Sequence, residues 1–249
     1  MLRIENLSKS YGNKLAVDGL SLHIRPGEIY GFIGHNGAGK TTAIKAACGI
    51  LRFDAGQIWI DGHPVREEPL ECKRRTAYLP DNPDLYEFLS GIKYLNFIAD
   101  VFGMSQAQRK ERIPALSADF ELTQDLAQPI STYSHGMKQK LAVIGALMHQ
   151  PRLLVMDEPF TGLDPRASFT LKQKMRALCD AGGAVFFSTH VLEVAEKLCD
   201  KIAIIKGGRL VEAGRTKDIV GKSSLENVFL EIAQERDPGE THYLAEEDD

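Results

Sequence analysis

Cysteine is scarce and scattered in this chain. Its 249 residues include four, Cys48, Cys72, Cys179 and Cys199. None forms a Cys-x-x-Cys pair and no histidine stands at ligand spacing, which excludes a zinc or disulfide framework of local spacing and predicts reduced thiols. Long apolar runs are missing too. No stretch approaches the ~18 uncharged apolar residues that a membrane span needs, so direct membrane insertion is not expected. The first twelve residues, MLRIENLSKSYG, carry charges and no apolar centre, unlike a secretory leader. Nor is there a large charge excess. Lys and Arg number 30 against 34 Asp and Glu, a formal net charge of −4, which lacks the basic footprint of a nucleic-acid partner. These absences predict a cytoplasmic chain that meets a membrane only through other proteins.

What is present suits a globular α/β protein: ordinary apolar and charged fractions, and a length that fits one large domain or a core with a smaller inserted lobe. Residues 2–7 and 20–24 read as short strands, Pro26-Gly27 as a turn, 28–33 as a buried strand and 57–60 as another strand closed by Asp61-Gly62. From about 83 to 147 the pattern turns helical, with Ile92, Leu95, Ile98 and Phe102 at helical spacing. Ser105 and Gln108 have the form of a capping box. Apolar strands then return at 153–156, 184–187 and 202–205, with helices between them, the pattern of a parallel sheet covered on both faces. Residues 236–249 hold six acids and one Arg, which predicts a solvated tail.

The chemistry is concentrated at residues 34–41, GHNGAGKT, which fit the pattern GxxxxGK[ST] between a predicted strand and a predicted helix. In such a loop Gly34, His35, Asn36, Gly37, Ala38 and Gly39 turn backbone N–H groups toward phosphates, and the helix N-terminus that includes Thr42 adds its positive end. Lys40 supplies a point charge to the β- and γ-phosphates and Thr41 a hydroxyl to Mg²⁺. The second half of the site is LLVMDEP, residues 153–159. Its buried strand delivers Asp157 and Glu158 to the ligand edge of an open sheet. Asp157 would hold Mg²⁺ and Glu158 would orient or deprotonate an attacking water.

A phosphate loop alone leaves kinases, GTPases and helicases open. The run TYSHGMKQKL, residues 132–141, separates them, because it resembles the LSGGQ signature of ABC transporter ATPases. Ser134 and Gly136 match, at the start of a predicted helix that precedes the Asp157 strand. The resemblance covers about residues 1–220 and implies a RecA-like α/β core with a phosphate loop, a small antiparallel β subdomain, and the segment 83–147 as an inserted helical subdomain. Residues 221–249 would then be a C-terminal extension. It further implies ATP and Mg²⁺ as cofactors and a second ATPase subunit as partner, either a copy or a related chain. In that pair Ser134, His135, Gly136 and Met137 would face the γ-phosphate bound by the other subunit. Tyr11 resembles the aromatic residue that stacks on adenine. TGLD, residues 161–164, resembles the loop that crosses the dimer interface, with Asp164 as its aspartate. His190 resembles the switch histidine at the γ-phosphate. Integral membrane permease subunits are the implied target, which would place the chain on the cytoplasmic face of the membrane.

The ending SSLENVFLEI, residues 223–232, is similar to the close of ATPases serving export systems. A regulatory or mechanical ATPase of the same family is the alternative, but such proteins carry paired ATPase domains or a long coiled coil, and this sequence has neither. Three departures stand out: His35 replaces a common Pro, His135 and Met137 replace signature residues, and Asp81, in YLPD, occupies the position usually held by Gln. Residues 80–89 carry Asp81, Asp84 and Glu87 among Leu85, Tyr86, Phe88 and Leu89, a composition suited to docking a permease.

Overall fold

The computed structural model describes residues 1–221 and 223–234. The expected acidic tail lies outside the described residues. In chain order, β1 (Leu2–Tyr11), β2 (Lys14–Ile24) and β3 (Ile29–Ile33) lead to α1 (Lys40–Ala47), β4 (Ala55–Ile60), β5 (His63–Pro64), α2 (Pro69–Arg75) and β6 (Thr76–Leu79). The middle of the chain forms α3 (Gly91–Val101), α4 (Gln106–Asp119), a 3₁₀ turn at Ile130–Thr132 and α5 (His135–Leu147). Then come β7 (Leu153–Asp157), α6 (Pro165–Asp180), β8 (Ala184–Thr189), α7 (Leu192–Leu198), β9 (Lys201–Lys206), β10 (Arg209–Arg215), α8 (Thr216–Val220) and α9 (Leu225–Gln234).

These strands form two sheets. An antiparallel sheet has the order β2-β1-β4-β5, and a six-stranded sheet has the order β10-β9-β3-β8-β7-β6. In the larger sheet every pairing is parallel except β10 with β9. Its inner strands β3, β7 and β8 are buried at every position, which explains why they read as unbroken apolar runs. Successive side chains point to opposite faces. Ile33, Leu154, Met156, Val185 and Phe187 face the core shared with α3–α6. Phe32, Leu153, Val155, Phe186 and Ala203 face the core shared with α1 and the antiparallel sheet.

The capping box forms as expected. Gln108 N–H donates to Ser105 Oγ at 3.3 Å, and Ser105 N–H donates to Gln108 Oε1 at 2.8 Å. The turn at Asp61-Gly62 has positive φ at both residues. The short elements α2, β5, β6, β10 and α8 were not visible in the sequence. Residues 83–90, expected to open the helical stretch, carry no helix.

The helical region is clamped to the core by an aromatic stack. His149, just past α5, lies on Phe102 at the end of α3, with ring centroids 3.6 Å apart and planes within 12°. Burial lowers the His149 pKa to about 4. The unfolded imidazole takes up a proton near pH 6.5 and the folded one resists it until about pH 4. Stability from this neutral stack is therefore full above pH 6.5 and is lost as pH falls toward 4. Urea unfolding at pH 7.5 and pH 5 should show a loss, on the order of 1–3 kcal/mol, that His149→Phe largely abolishes. An equal loss in both proteins would clear His149 of any role in acid sensitivity.

Candidate functional site

The phosphate loop leaves β3 at the C-terminal edge of the larger sheet and enters α1 at Lys40. Gly39 is the N-cap with φ 105° and ψ 1°. A Cβ there would overlap the carbonyl oxygen of Ala16, so the left-handed backbone and the close approach both require glycine. Lys40 is buried, and its ammonium donates to the carbonyl oxygens of Gly34 at 2.6 Å and His35 at 3.3 Å. The Glu158 carboxylate stands 3.7 Å from the same ammonium. The Ala38 carbonyl accepts the Gly208 amide at 3.0 Å, which ties the loop to the β9–β10 turn.

Parallel pairing of β7 with β8 brings Asp157 opposite Ser188. Thr41 Oγ1 donates to Asp157 Oδ2 at 2.6 Å, and the Ser188 hydroxyl donates to Asp157 Oδ1. The amide of Glu158 in turn donates to Ser188 Oγ at 3.1 Å. Glu158 sits at φ 47°, outside the usual range for a residue with a side chain. His190 contacts it twice, Nδ1 to Oε2 at 2.9 Å and the backbone amide to Oε2 at 3.3 Å. Glu158 Oε1 is buried and accepts no hydrogen bond among the described residues.

A cavity of about 450 Å³ opens over these groups. Its lining combines Tyr11 with the loop residues His35, Asn36, Gly37, Gly39, Lys40, Thr41 and Thr42, and with Asp81, Asp157 and Glu158. Lys14 and Ala16 of β2 complete it, and neither was visible as a site residue in the sequence. Ser188 was missed as well, since a serine inside an apolar strand gives no local signal of a partner 31 residues away. The hydroxyl and carboxylate oxygens of Thr41 and Asp157 are a hard donor set, and they fit a Mg²⁺ ion bound beside phosphate.

A second group of expected residues stands elsewhere. Ser134 caps α5, accepting the Met137 amide at 3.3 Å. Asp164 caps α6, accepting the Ala167 amide at 2.8 Å, and its carboxylate meets Lys140 Nζ at 2.6 Å. The Lys140 ammonium, followed by that amide, holds the Asp164 carboxyl below the usual range. The two helix starts are packed together. A Cβ on Gly162, at φ 78°, would overlap the His135 ring. None of Ser134, His135, Gly136, Met137 or Asp164 lines the cavity that holds the phosphate loop.

The family profile described as ABC transporter matches residues 17–161, a span that takes in the phosphate loop, the Ser134 helix and the Asp157 strand. The chain belongs to the ABC transporter family. It is 34% identical over 222 residues to the linearmycin resistance ATP-binding protein LnrL of Bacillus subtilis, covering 89% of this chain and 71% of that protein. It is 36% identical to the Nod factor export ATP-binding protein I of Paraburkholderia xenovorans, covering 88% and 72%. Among solved structures, one described as the ATP-binding subunit of an ABC transporter superposes with a TM-score of 0.90 at 33% identity, covering 94% of this chain and all of that one. A dimeric ATP-binding cassette in a post-hydrolysis state with ADP and Pi shares the fold, with a TM-score of 0.80 at 22% identity, covering 87% and 99%. The chain is thus the ATP-binding subunit of an ABC transporter and an ATPase with a RecA-like phosphate-loop core. No helix among the described residues is long and apolar enough to cross a membrane.

Ser188 ties both Asp157 and Glu158 to β8. Ser188→Ala should lower kcat for ATP hydrolysis about 10- to 100-fold, the range seen when an outer support of a ligating carboxylate is removed. The Kd for ATP should change much less. An unchanged kcat would show that Asp157 and Glu158 keep their positions without the hydroxyl.

Proposed function

We propose that two copies of this chain, or this chain and a related one, close around two ATP molecules and thereby drive export through separate membrane permease subunits. The observation that carries the reading is the separation of the two residue groups. Ser134, with the free amides of a helix start, makes a good anion site, yet it lies outside the cavity of its own chain's phosphate loop. Two incomplete halves on one chain are completed by a second chain. The names of the relatives, one in Nod factor export and one in linearmycin resistance, favour export.

In this mechanism Tyr11 stacks on the adenine. The loop amides of residues 34–41 and the Lys40 ammonium bind the phosphates, and Thr41 and Asp157 would hold Mg²⁺. When bound, that ion supplies neutralising charge to the β- and γ-phosphates. Glu158 accepts the proton of the water that attacks the γ-phosphorus, and His190 holds the accepting carboxylate through Oε2. The partner's signature helix closes the cavity over the γ-phosphate. Little covalent work falls to the protein, so rate comes from positioning and fixed charge. Asp81 lines the same cavity, so an acid stands where the family usually carries a neutral amide. Nearby, the exposed rings of Tyr86, Phe88 and Phe97 form a cluster with centroids 5.5 to 6.0 Å apart. They suit a permease segment as an apolar foothold.

Glu158→Gln should retain ATP binding, lose about 10²- to 10⁴-fold in turnover and accumulate as an ATP-bound dimer in sedimentation. Near-normal hydrolysis would remove Glu158 from the proton-accepting role. The composite site is tested by mixing. Lys40→Ala and Ser134→Arg subunits should each be inactive alone. Together they form one site from two damaged halves and one from two intact halves, so hydrolysis should partly return. Mixed dimers that form without any recovery would rule out sites shared between chains.

A further inference from the structure

The segment before α3 is joined to the signature helix by a connection that the ATPase site does not use. Residues 87–92 run antiparallel to residues 126–131. Ile92 N–H donates to the Leu126 carbonyl at 2.8 Å and Gly91 N–H to that of Gln128 at 3.2 Å. In the other direction Ile130 N–H donates to the Leu89 carbonyl at 2.8 Å and Ser131 N–H to that of Glu87 at 3.1 Å. Ser90 and Pro129 form the bridge between them. The second strand of this ladder then passes through Thr132 and Tyr133 straight into Ser134, the cap of α5. One turn into α5, the Lys138 ammonium reaches back to the Glu87 carboxylate.

The ladder fixes the approach to Ser134, while the body of α5 is held by its buried face in the core and by Lys140 on Asp164. The Glu87–Lys138 ion pair adds a side-chain tie to the start of the helix, one turn from Ser134. It does so from the residue that lies between Tyr86 and Phe88, the exposed aromatic pair. We propose that Glu87 is a positioning residue for the signature helix. Through Lys138 it sets the angle at which Ser134 meets the phosphate of the second subunit, and it passes movement of the Tyr86–Phe88 segment to that contact. The inference rests on the composite-site reading. Glu87 does not line the ATP cavity of its own chain, so its loss should leave ATP binding by the single chain intact and weaken the closed pair.

The test uses the full chain carrying Glu158→Gln, which holds the ATP-bound dimer. Glu87→Gln and Lys138→Glu should each raise the ATP concentration for half-maximal dimerisation in sedimentation, by about three- to fivefold, the scale of a half-exposed ion pair. The Kd for a fluorescent ATP analogue on the dilute monomer should change less than about twofold, and thermal unfolding should hardly move. The swap Glu87→Lys with Lys138→Glu should restore dimerisation. Dimerisation unchanged in both single variants would overturn the proposal, as would a swap that rescues nothing. Ser134→Arg in the same assay separates the two levels. If it dimerises like its parent, the shared-site reading itself fails. If it does not dimerise while the Glu87 variants behave as the parent does, only the role of Glu87 is lost.

Discussion

Thr41 and Ser188 both donate to the carboxylate of Asp157, one to each oxygen. This small knot joins the first residues of α1, the end of β7 and the end of β8. Asp157 is almost fully buried, and a buried carboxylate without donors would be strongly unfavourable. Its two partners come from elements far apart in sequence, so the bonds can form only when the parallel sheet has its final register. The phosphate loop, the Thr41 and Asp157 oxygens and the Glu158 carboxylate therefore take their places together.

The same edge concentrates opposite charges at short range. The buried Lys40 ammonium sits among the carbonyls of its own loop, with Glu158 at 3.7 Å. Glu158 is itself held at a strained backbone angle by the Ser188 hydrogen bond and by His190. Groups fixed in this way need little rearrangement when a phosphate enters, which is the condition under which fixed charge lowers a barrier most.

Away from that edge, the helical region is fastened by contacts of a different kind. His149 on Phe102 is a buried, neutral stack. The link from residues 87–92 to 126–131 is a backbone ladder with one ion pair, Glu87 to Lys138, at its end. The Ser134 and Asp164 helix starts are packed through His135 on Gly162 and tied by Lys140. The Ser134 helix start is consequently supported from two directions, by the loop that follows the Asp157 strand and by the segment bearing the exposed aromatics.

Much of this was legible in the sequence because the signals are local. The phosphate loop is a contiguous run whose glycines and lysine act on one ligand. The capping box of Ser105 and Gln108 spans one turn. The buried strands announce themselves as apolar runs because both faces are covered. The short strand β6 gave no such signal, since four residues show no period, and its pairing with β7 decides its conformation. Ser188 looked like any strand residue until β7 was placed beside β8. Lys14 and Ala16 became part of the site only when β2 folded against the phosphate loop. Neighbouring residues were enough to set the nucleotide chemistry and the longer buried strands, because those instructions are local. That the Ser134 helix start lies outside the cavity of its own chain's phosphate loop emerged only from the fold, because that separation is set by how distant segments pack.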